Sequence, residues 1–492
     1  MYVQSKKVAP WSVKDYVKVI LCFFVNYVIL GVLCALATFI NKGMRWEAFS
    51  GYFLSEQGKN NFAYLMIALF LLMVVIFLFY YNENRDFIKK PKNVVMMFLI
   101  VFVSLIISYC VGMWGSVYAR PIALCALLTL MLVNRSSAIF MNFAMCMITF
   151  LMDIYTGADY FGEYQNAEFS SLVIGFSAGL IGIYLISGIK SRVKVLVMGL
   201  VVSVPIILMT FVLEGMDFNR LYLPVFTGIT AGMLSVALQM VLLPAFEFVF
   251  NVLTDYRLSE ITDHKYKVMK KLIELAPGTF NHCLIVSNLA ETCATAIGES
   301  SQVARAAAYY HDIGKIRNPG FFTENQQGKD YHEDLTPELS AQIIMSHTTE
   351  GAKILKRYRL PQILVDVAQE HQGTMHIRYF YAEAVKMTDG EVDIKKFSYP
   401  GPKPQSKIAA IIMIADASEA KVRTLKDRSH VNVDAAVKEI IEERMDADQF
   451  SDCDLTIRDL SIIRSSLVNA LAGVYHDRVE YPKLKIGKSE KK

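Results

Sequence analysis

The run His311-Asp312-Ile313-Gly314-Lys315 puts an imidazole, a carboxylate and an ammonium within five positions. His282 lies 29 positions before it, and His347, His371 and Asp416 follow at wide spacings. All nine histidines fall after residue 263. Together His282, His311, His347, His371, Asp312 and Asp416 supply four imidazoles and two carboxylates, ligands enough for one or two divalent metals. Adjacent His and Asp let one helix end present both groups, and the two oxygens of Asp312 can bridge two ions. Two metals about 3.5–4 Å apart hold the non-bridging oxygens of a phosphodiester and lower the pKa of bound water toward about 7. The expected chemistry is hydrolysis by a metal-activated hydroxide, with Asp312 and Lys315 as catalytic candidates. Lys315, one helical turn from His311, and Arg423, two turns after Asp416 on the same helix face, are candidates for the substrate phosphate. A second His-Asp pair, His476-Asp477, sits in a charged stretch without partner ligands and reads as structural. His264, His332, His376 and His430 lie in polar stretches and are expected to face solvent.

Helices must carry these groups. From about residue 254 onward no run alternates with period 2, and the pattern is helical. Leu258 to Leu275 reads as a connecting helix that Pro277-Gly278-Thr279 breaks, with Thr279 as cap of the next helix and His282 in its first turn. Further helices run from about Gln302 to His311, from Pro337 through His347, from Pro361 to His371, and from Ile408 to about Leu425 with Asp416 on it. Gly314 and Gly373 act as stops. The fold expected here is all-α, with ligands drawn from several helices into one pocket.

The first half is different. The 492-residue chain is 54% hydrophobic, and the excess sits in long apolar runs before residue 254. Candidate spans are 15–41, 62–82, 93–115, 119–133, 136–155, 169–188, 192–213 and 222–253. The fourth is short, and only Asn134 and Arg135 part it from the fifth, so the two could form one long helix. Eight spans with the N-terminus inside put Lys6, Lys7, Lys14, Arg85, Lys89, Lys90, Lys92, Arg135, Lys190, Arg192 and Lys194 on the cytoplasmic face. Asp153, Asp159, Glu163 and Glu168 then lie outside, and the histidine-bearing half is cytoplasmic. Ala35-Leu36-Ala37 has the form of a cleavage site, but the apolar region before it is too long for a signal peptide and fits a retained anchor. The spans hold few ionisable residues, which argues against an ion pathway. Eight cysteines without C-x-x-C spacing read as reduced packing residues. A net charge of +4 is too small to argue for nucleic acid as a partner. The expected layout is an N-terminus 1–14, a bundle 15–253 in the lipid bilayer, a connector 254–275, a metal hydrolase domain 276–482 and a basic tail 483–492.

The order of the six ligand positions, with Ala276-Pro277-Gly278-Thr279-Phe280-Asn281-His282, the HDIGK run, Glu370-His371-Gln372-Gly373-Thr374, Tyr399-Pro400-Gly401-Pro402-Lys403-Pro404 and Tyr475-His476-Asp477-Arg478-Val479-Glu480-Tyr481-Pro482, resembles the bacterial seven-transmembrane HD-domain phosphohydrolases. The resemblance covers most of the chain. It implies a cyclic-di-AMP phosphodiesterase that yields linear pApA in the cytoplasm of a membrane-anchored protein. It implies that His282, His311, Asp312, His347, His371 and Asp416 hold two iron or manganese ions. A homo-oligomer is left open. Two departures stand out. Relatives usually carry a large extracellular domain after the first span, where this chain has only Asn41 to Asn60, so sensing by that domain is not expected. Many relatives also read His-His where this chain reads His371-Gln372. The related HD-GYP enzymes, which hydrolyse cyclic-di-GMP, carry a Gly-Tyr-Pro run that is missing after His371. Two other readings are hydrolysis of a different nucleotide, and a receptor that binds a nucleotide without turnover.

Overall fold

The structure is a computed structural model that describes residues 11–156, 167–189, 191–326, 328, 330–387 and 390–474. His476-Asp477, the motif beginning at Tyr475 and the tail 483–492 lie outside the described residues. The described residues form α-helices and short 3-10 turns and no strand; one isolated bridge joins His376 and Ser398. The expected all-α class holds. The chain divides after Arg257 into two compact units.

The first unit contains α1 (Val13–Asn41), α2 (Trp46–Leu54), α3 (Glu56–Glu83), α4 (Arg85–Lys89), α5 (Pro91–Trp114), α6 (Ala123–Leu132), α7 (Arg135–Tyr155), α8 (Ser170–Ile186), α9 (Arg192–Leu213) and α10 (Tyr222–Phe250). Among the described residues seven helices are long and apolar enough to cross a bilayer: α1, α3, α5, α7, α8 with its lead-in from Ala167, α9 and α10. The expected fourth span is instead the ten-residue α6 behind a 3-10 turn at Val117–Ala119. It rises only about 15 Å, half of a hydrocarbon core. Asn134 has an extended backbone and its side chain accepts from the Ser137 amide at 2.7 Å, so α6 and α7 are two helices rather than one. Helix α1 exposes Val17, Ile20, Leu21 and Phe24, a face that suits lipid and not water. Small residues let the helices close up. A Cβ on Gly179 of α8 would lie 2.1 Å from Asn142 Oδ1 on α7, and one on Gly232 of α10 would lie 2.2 Å from Ser203 Oγ on α9.

One buried ion pair ties the short helix down. Arg120 donates from Nη1 to Asp153 Oδ2 at 2.6 Å and from Nη2 to Oδ1 at 3.1 Å, with both side chains at most 3% exposed. Arg120 leads into α6 and Asp153 lies near the far end of α7, so the segment 120–134 runs back along the length of α7. Removing one partner of such a pair costs far more than replacing both by apolar groups. Arg120→Met is expected to lower the unfolding free energy by about 3 kcal/mol. The double change Arg120→Met with Asp153→Leu should recover most of that loss in thermal melts of the protein in detergent. Equal losses in the two variants would show that the pair is not the tie.

The second unit contains α12 (Lys267–Leu275), α13 (Pro277–Ala296), α14 (Ser301–Tyr310), α15 (Pro337–Arg357), α16 (Gln362–Glu370), α17 (Arg378–Met387), α18 (Lys407–Thr424), α19 (His430–Asp446) and α20 (Ile457–Val474); α11 (Asp255–Ile261) precedes them across the division. The connector expected as one helix over 258–275 is therefore two, with turns between Ile261 and Lys267. Helix α18 is the axis. Ile408 to Ala415 are buried without interruption, and α13, α14, α16, α19 and α20 pack around it. A helix buried all round reads as apolar on every face, which is why this stretch shows little amphipathic period. Thr279 does not cap α13. The helix begins at Pro277, whose missing N–H costs nothing there, and Thr279 is buried with its hydroxyl donating to Glu324 Oε1. His282 consequently lies in the second turn and not the first. All eight cysteines are free.

Candidate metal centre

Five segments bring the ligands together. His282 comes from α13, His311 caps the C-terminus of α14 with Asp312 next to it, His347 is on α15, His371 caps α16, and Asp416 is on α18. The caps have local causes. After His371 the backbone turns left-handed at Gly373 (φ +52°), which ends the helix and leaves the imidazole at its tip. After His311 the chain tightens into a 3-10 turn over Ile313–Arg317. A Cβ on Gly314 would lie 1.9 Å from the His347 carbonyl oxygen and 2.7 Å from the Gly351 nitrogen. Only glycine lets this turn lie backbone against backbone on α15, and that contact brings Asp312 to His347.

Three imidazoles are aimed by their own helices. The Nδ1 of His311, His347 and His371 donates to the carbonyls of Ala308 (2.7 Å), Ile344 (2.6 Å) and Ala368 (3.1 Å). In a neutral ring that fixes the proton on Nδ1 and turns the Nε2 lone pair inward. His282 is aimed across the unit: its Nδ1 lies 2.8 Å from Glu419 Oε2, and its Nε2 lies 2.9 Å from Asp416 Oδ1. Asp312, 2% exposed, stands between the rings. Its Oδ2 is 3.2 Å from His311 Nε2 and 3.8 Å from His282 Nε2, while its Oδ1 is 3.3 Å from His347 Nε2 and 3.6 Å from His371 Nε2.

This donor set fits a metal. His347 Nε2 and His371 Nε2 lie 3.1 Å apart, two lone pairs facing each other when both rings are neutral. His311 Nε2 and Asp312 Oδ1 are buried and make no hydrogen bond among the described residues. Buried acceptors in this arrangement are expensive unless a cation serves them. The six expected ligands fall into two trios with mutual distances below 4.8 Å, His282-His311-Asp416 and Asp312-His347-His371, and a third trio, Cys283-His311-Asp312, meets the same limit; one oxygen of Asp312 faces His311 and the other His347. Charge is arranged to match. Burial lowers the imidazolium of His347 to about 3, so the ring stays neutral and ligating. Burial would raise Asp312, but the charges of Lys315 and His311 outweigh it and hold the carboxyl well below its usual range. At His282 burial is outweighed by hydrogen bonds to Asp416 and Glu419, and the ring is raised to about 10. At His311 burial is outweighed by the charge of Asp312, and this ring too is raised well above its usual value. His282 and His311 must both give up a proton to ligate, so metal binding here releases protons.

His282, His347 and Asp416 line a cavity of about 300 Å³ with Lys315, Gln372, Tyr399, Arg423 and Arg444. Lys315 is committed to carboxylates, 2.7 Å from Asp312 Oδ2 and 2.9 Å from Glu324 Oε1, and lies over the Phe322 ring. Arg423 is on the cavity wall as its spacing from Asp416 suggested, 3.8 Å from Glu419 Oε1 and 47% exposed. Gln372 donates to Asp416 Oδ2 at 2.9 Å, which leaves Oδ1 turned toward His282. Sequence reasoning missed Glu419, Glu324, Tyr399 and Arg444. Glu419 had a signal: it lies three positions after Asp416 on one helix face and is fully buried. Of the histidines expected to face solvent, His264, His376 and His430 are exposed. His332 is not; it is half-buried with Nε2 donating to the Phe321 carbonyl at 2.9 Å.

Two substitutions test the construction of the site. Gly314→Ala forces the turn off α15 and should abolish metal retention, read by elemental analysis, while the helical circular dichroism persists. Retained metal would show that the backbone contact is not required. Glu419→Ala removes the group that orients His282 and should weaken metal affinity by roughly 10–100-fold in a chelator competition. An unchanged affinity would exclude that role.

The profile of the family described as "7TM receptor with intracellular HD hydrolase" matches residues 61–254, and that of the HD domain matches residues 279–421. The cyclic-di-AMP phosphodiesterase PgpH of Bacillus subtilis is 34% identical over 85% of this chain and 59% of its own. That of Listeria monocytogenes is 32% identical over 86% of this chain and 59% of its own. The chain thus spans about three-fifths of the length of these curated relatives. The crystal structure of the L. monocytogenes PgpH HD domain covers 43% of this chain and all of that one, at 43% identity and a TM-score of 0.41. Helices suited to a bilayer, followed by a helical unit in which an HD pair gathers further histidines and an aspartate, match both profiles in order: the chain belongs to the seven-transmembrane HD hydrolase family.

Proposed function

We propose that this protein is a membrane-anchored phosphodiesterase that hydrolyses cyclic-di-AMP to pApA. The observation that carries the reading is the position of Asp312 between two trios of ligand atoms. Such a centre suits two divalent ions sharing one carboxylate, iron or manganese, with His282, His311 and Asp416 on one side and His347 and His371 on the other. When bound, the metals supply Lewis acidity toward a phosphodiester and acidify water. The chain's own residues do the rest. Asp312 holds the two halves of the centre at fixed separation. Lys315 neutralises Asp312 and Glu324 at the cavity edge and limits the negative field that a phosphate must enter. Arg423 and Arg444, both on the wall, offer guanidinium donors to phosphate oxygens. The substrate class rests on the names of the relatives, both cyclic-di-AMP phosphodiesterases.

We further propose the layout and orientation read from charge: the bundle 15–253 in the plasma membrane, a connector 254–275, and the hydrolase domain 276–482 in the cytoplasm with its tail 483–492. Helix α6 alone rises only half a hydrocarbon core, so this orientation requires the apolar segment Val117–Leu132 as a whole to return the chain from α5 to α7. Arg85, Lys89, Lys90, Lys92, Arg135, Arg192 and Lys194 then share the inner face with the hydrolase.

The test is hydrolysis of cyclic-di-AMP and cyclic-di-GMP side by side, with the full chain in detergent and manganese or iron(II) added. Conversion of cyclic-di-AMP to pApA, reduced at least a hundredfold by His311→Ala, is the expected result. Full activity in His311→Ala, or no cleavage with metal bound, would overturn the reading.

A further inference from the structure

The motif Ala276 to His282 is only partly used by the metal centre. Gly278 lets α13 approach the Glu324 carbonyl, where a Cβ would lie 1.8 Å from the oxygen, and Thr279 hydrogen-bonds to Glu324. Asn281 does neither. It is exposed, and its amide hydrogen-bonds to none of the described residues. It lines a cavity of about 530 Å³ with Gly278, Ile285, Thr323 and Arg423. That cavity shares His282, Glu324 and Arg423 with the one at the metal ligands, so the two adjoin along the His282 ring.

A cyclic dinucleotide constrains where its bases go. When one phosphodiester lies at the ligands, the nucleoside attached to it must occupy space one sugar away. The 530 Å³ cavity adjoins the ligand-lined one through His282, Glu324 and Arg423 and has the size of a small-ligand site. Ile285, one turn after Asn281 on the same helix face, gives it an apolar surface for a ring. Arg423 stands at the junction, where a phosphate would be. The Asn281 amide presents one acceptor and one donor side by side. Adenine shows the complementary pair, the N6 amino donor beside the N7 acceptor, whereas guanine shows two acceptors, O6 and N7.

We infer that the cavity bounded by Asn281, Ile285 and Arg423 is a base subsite and that Asn281 is the residue that selects adenine over guanine. This rests on the cyclic-dinucleotide reading above. An amide set against the N7 edge pairs twice with adenine but only once with guanine on that same edge, so the preference falls on binding and not on the chemical step.

The experiment measures kcat and KM for cyclic-di-AMP and cyclic-di-GMP with the full chain in detergent and manganese, for the unaltered protein, Asn281→Ala and Asn281→Asp. Each rate is normalised to the hydrolysis of bis(p-nitrophenyl) phosphate by the same preparation, which reports the metal centre and carries no base. In both variants the KM for cyclic-di-AMP should rise, and the adenine-to-guanine ratio of kcat/KM should fall by about fivefold or more. Asn281→Asp is informative because it keeps the shape and loses the donor for N7. A ratio unchanged in both variants, in a protein that prefers cyclic-di-AMP, overturns the subsite alone. Failure of the unaltered protein to cleave either cyclic dinucleotide, while it cleaves the small diester, overturns the substrate reading and the subsite with it.

Discussion

The second unit is organised around a buried carboxylate that must be served from every side. Asp312 is 2% exposed, and four imidazoles and one ammonium point at it. An ionised carboxylate taken that far from water is tolerated only where opposite charge and directed hydrogen bonds compensate it. Most of the surrounding architecture follows from that demand. Helices α14 and α16 end at the ligands, so that His311 and His371 sit at helix tips, and glycine allows the backbone contact that brings α15 in with His347. Helix α18 is buried without interruption from Ile408 to Ala415 and carries Asp416 and Glu419 on one face.

Orientation is paid for by the backbone in three rings and by a side chain in one. His311, His347 and His371 each donate Nδ1 to a carbonyl three residues earlier, a device that any helix supplies. His282 lacks it and relies on Glu419. Gln372 does the analogous thing for Asp416 by donating to one oxygen and leaving the other toward His282. The residue that departs from the His-His pattern of many relatives thus has a defined place as an orienting hydrogen-bond donor. Partners of this kind hold ligand geometry before a metal arrives.

The cluster was legible because histidine is absent before residue 264 and because His311 and His371 lie just before the stop glycines Gly314 and Gly373; His311, His347, His371 and Asp416 all sit on or at the end of the helices expected to carry them. The all-helical class was legible from the missing period of 2. What escaped had physical reasons. Glu419 resembles any surface glutamate until its own face of α18 is known to be buried. Thr279 looked like a helix cap because Ser and Thr usually are, but proline at position 277 moved the helix start forward and freed its hydroxyl for Glu324. The connector looked like one helix because its charged residues give no hint of the turns after Ile261. In the first unit the apolar runs were plain, but length could not show that Arg120 and Asp153 pair inside the bundle and draw the short α6 along α7.

The central claim is that one carboxylate is shared by two metal positions. Elemental analysis of the full chain, purified with manganese and compared with Asp312→Ala, tests it most directly. Two ions per chain in the unaltered protein, and fewer than one in Asp312→Ala, is the result the account predicts. A single ion in the unaltered protein, or two retained without Asp312, would contradict it.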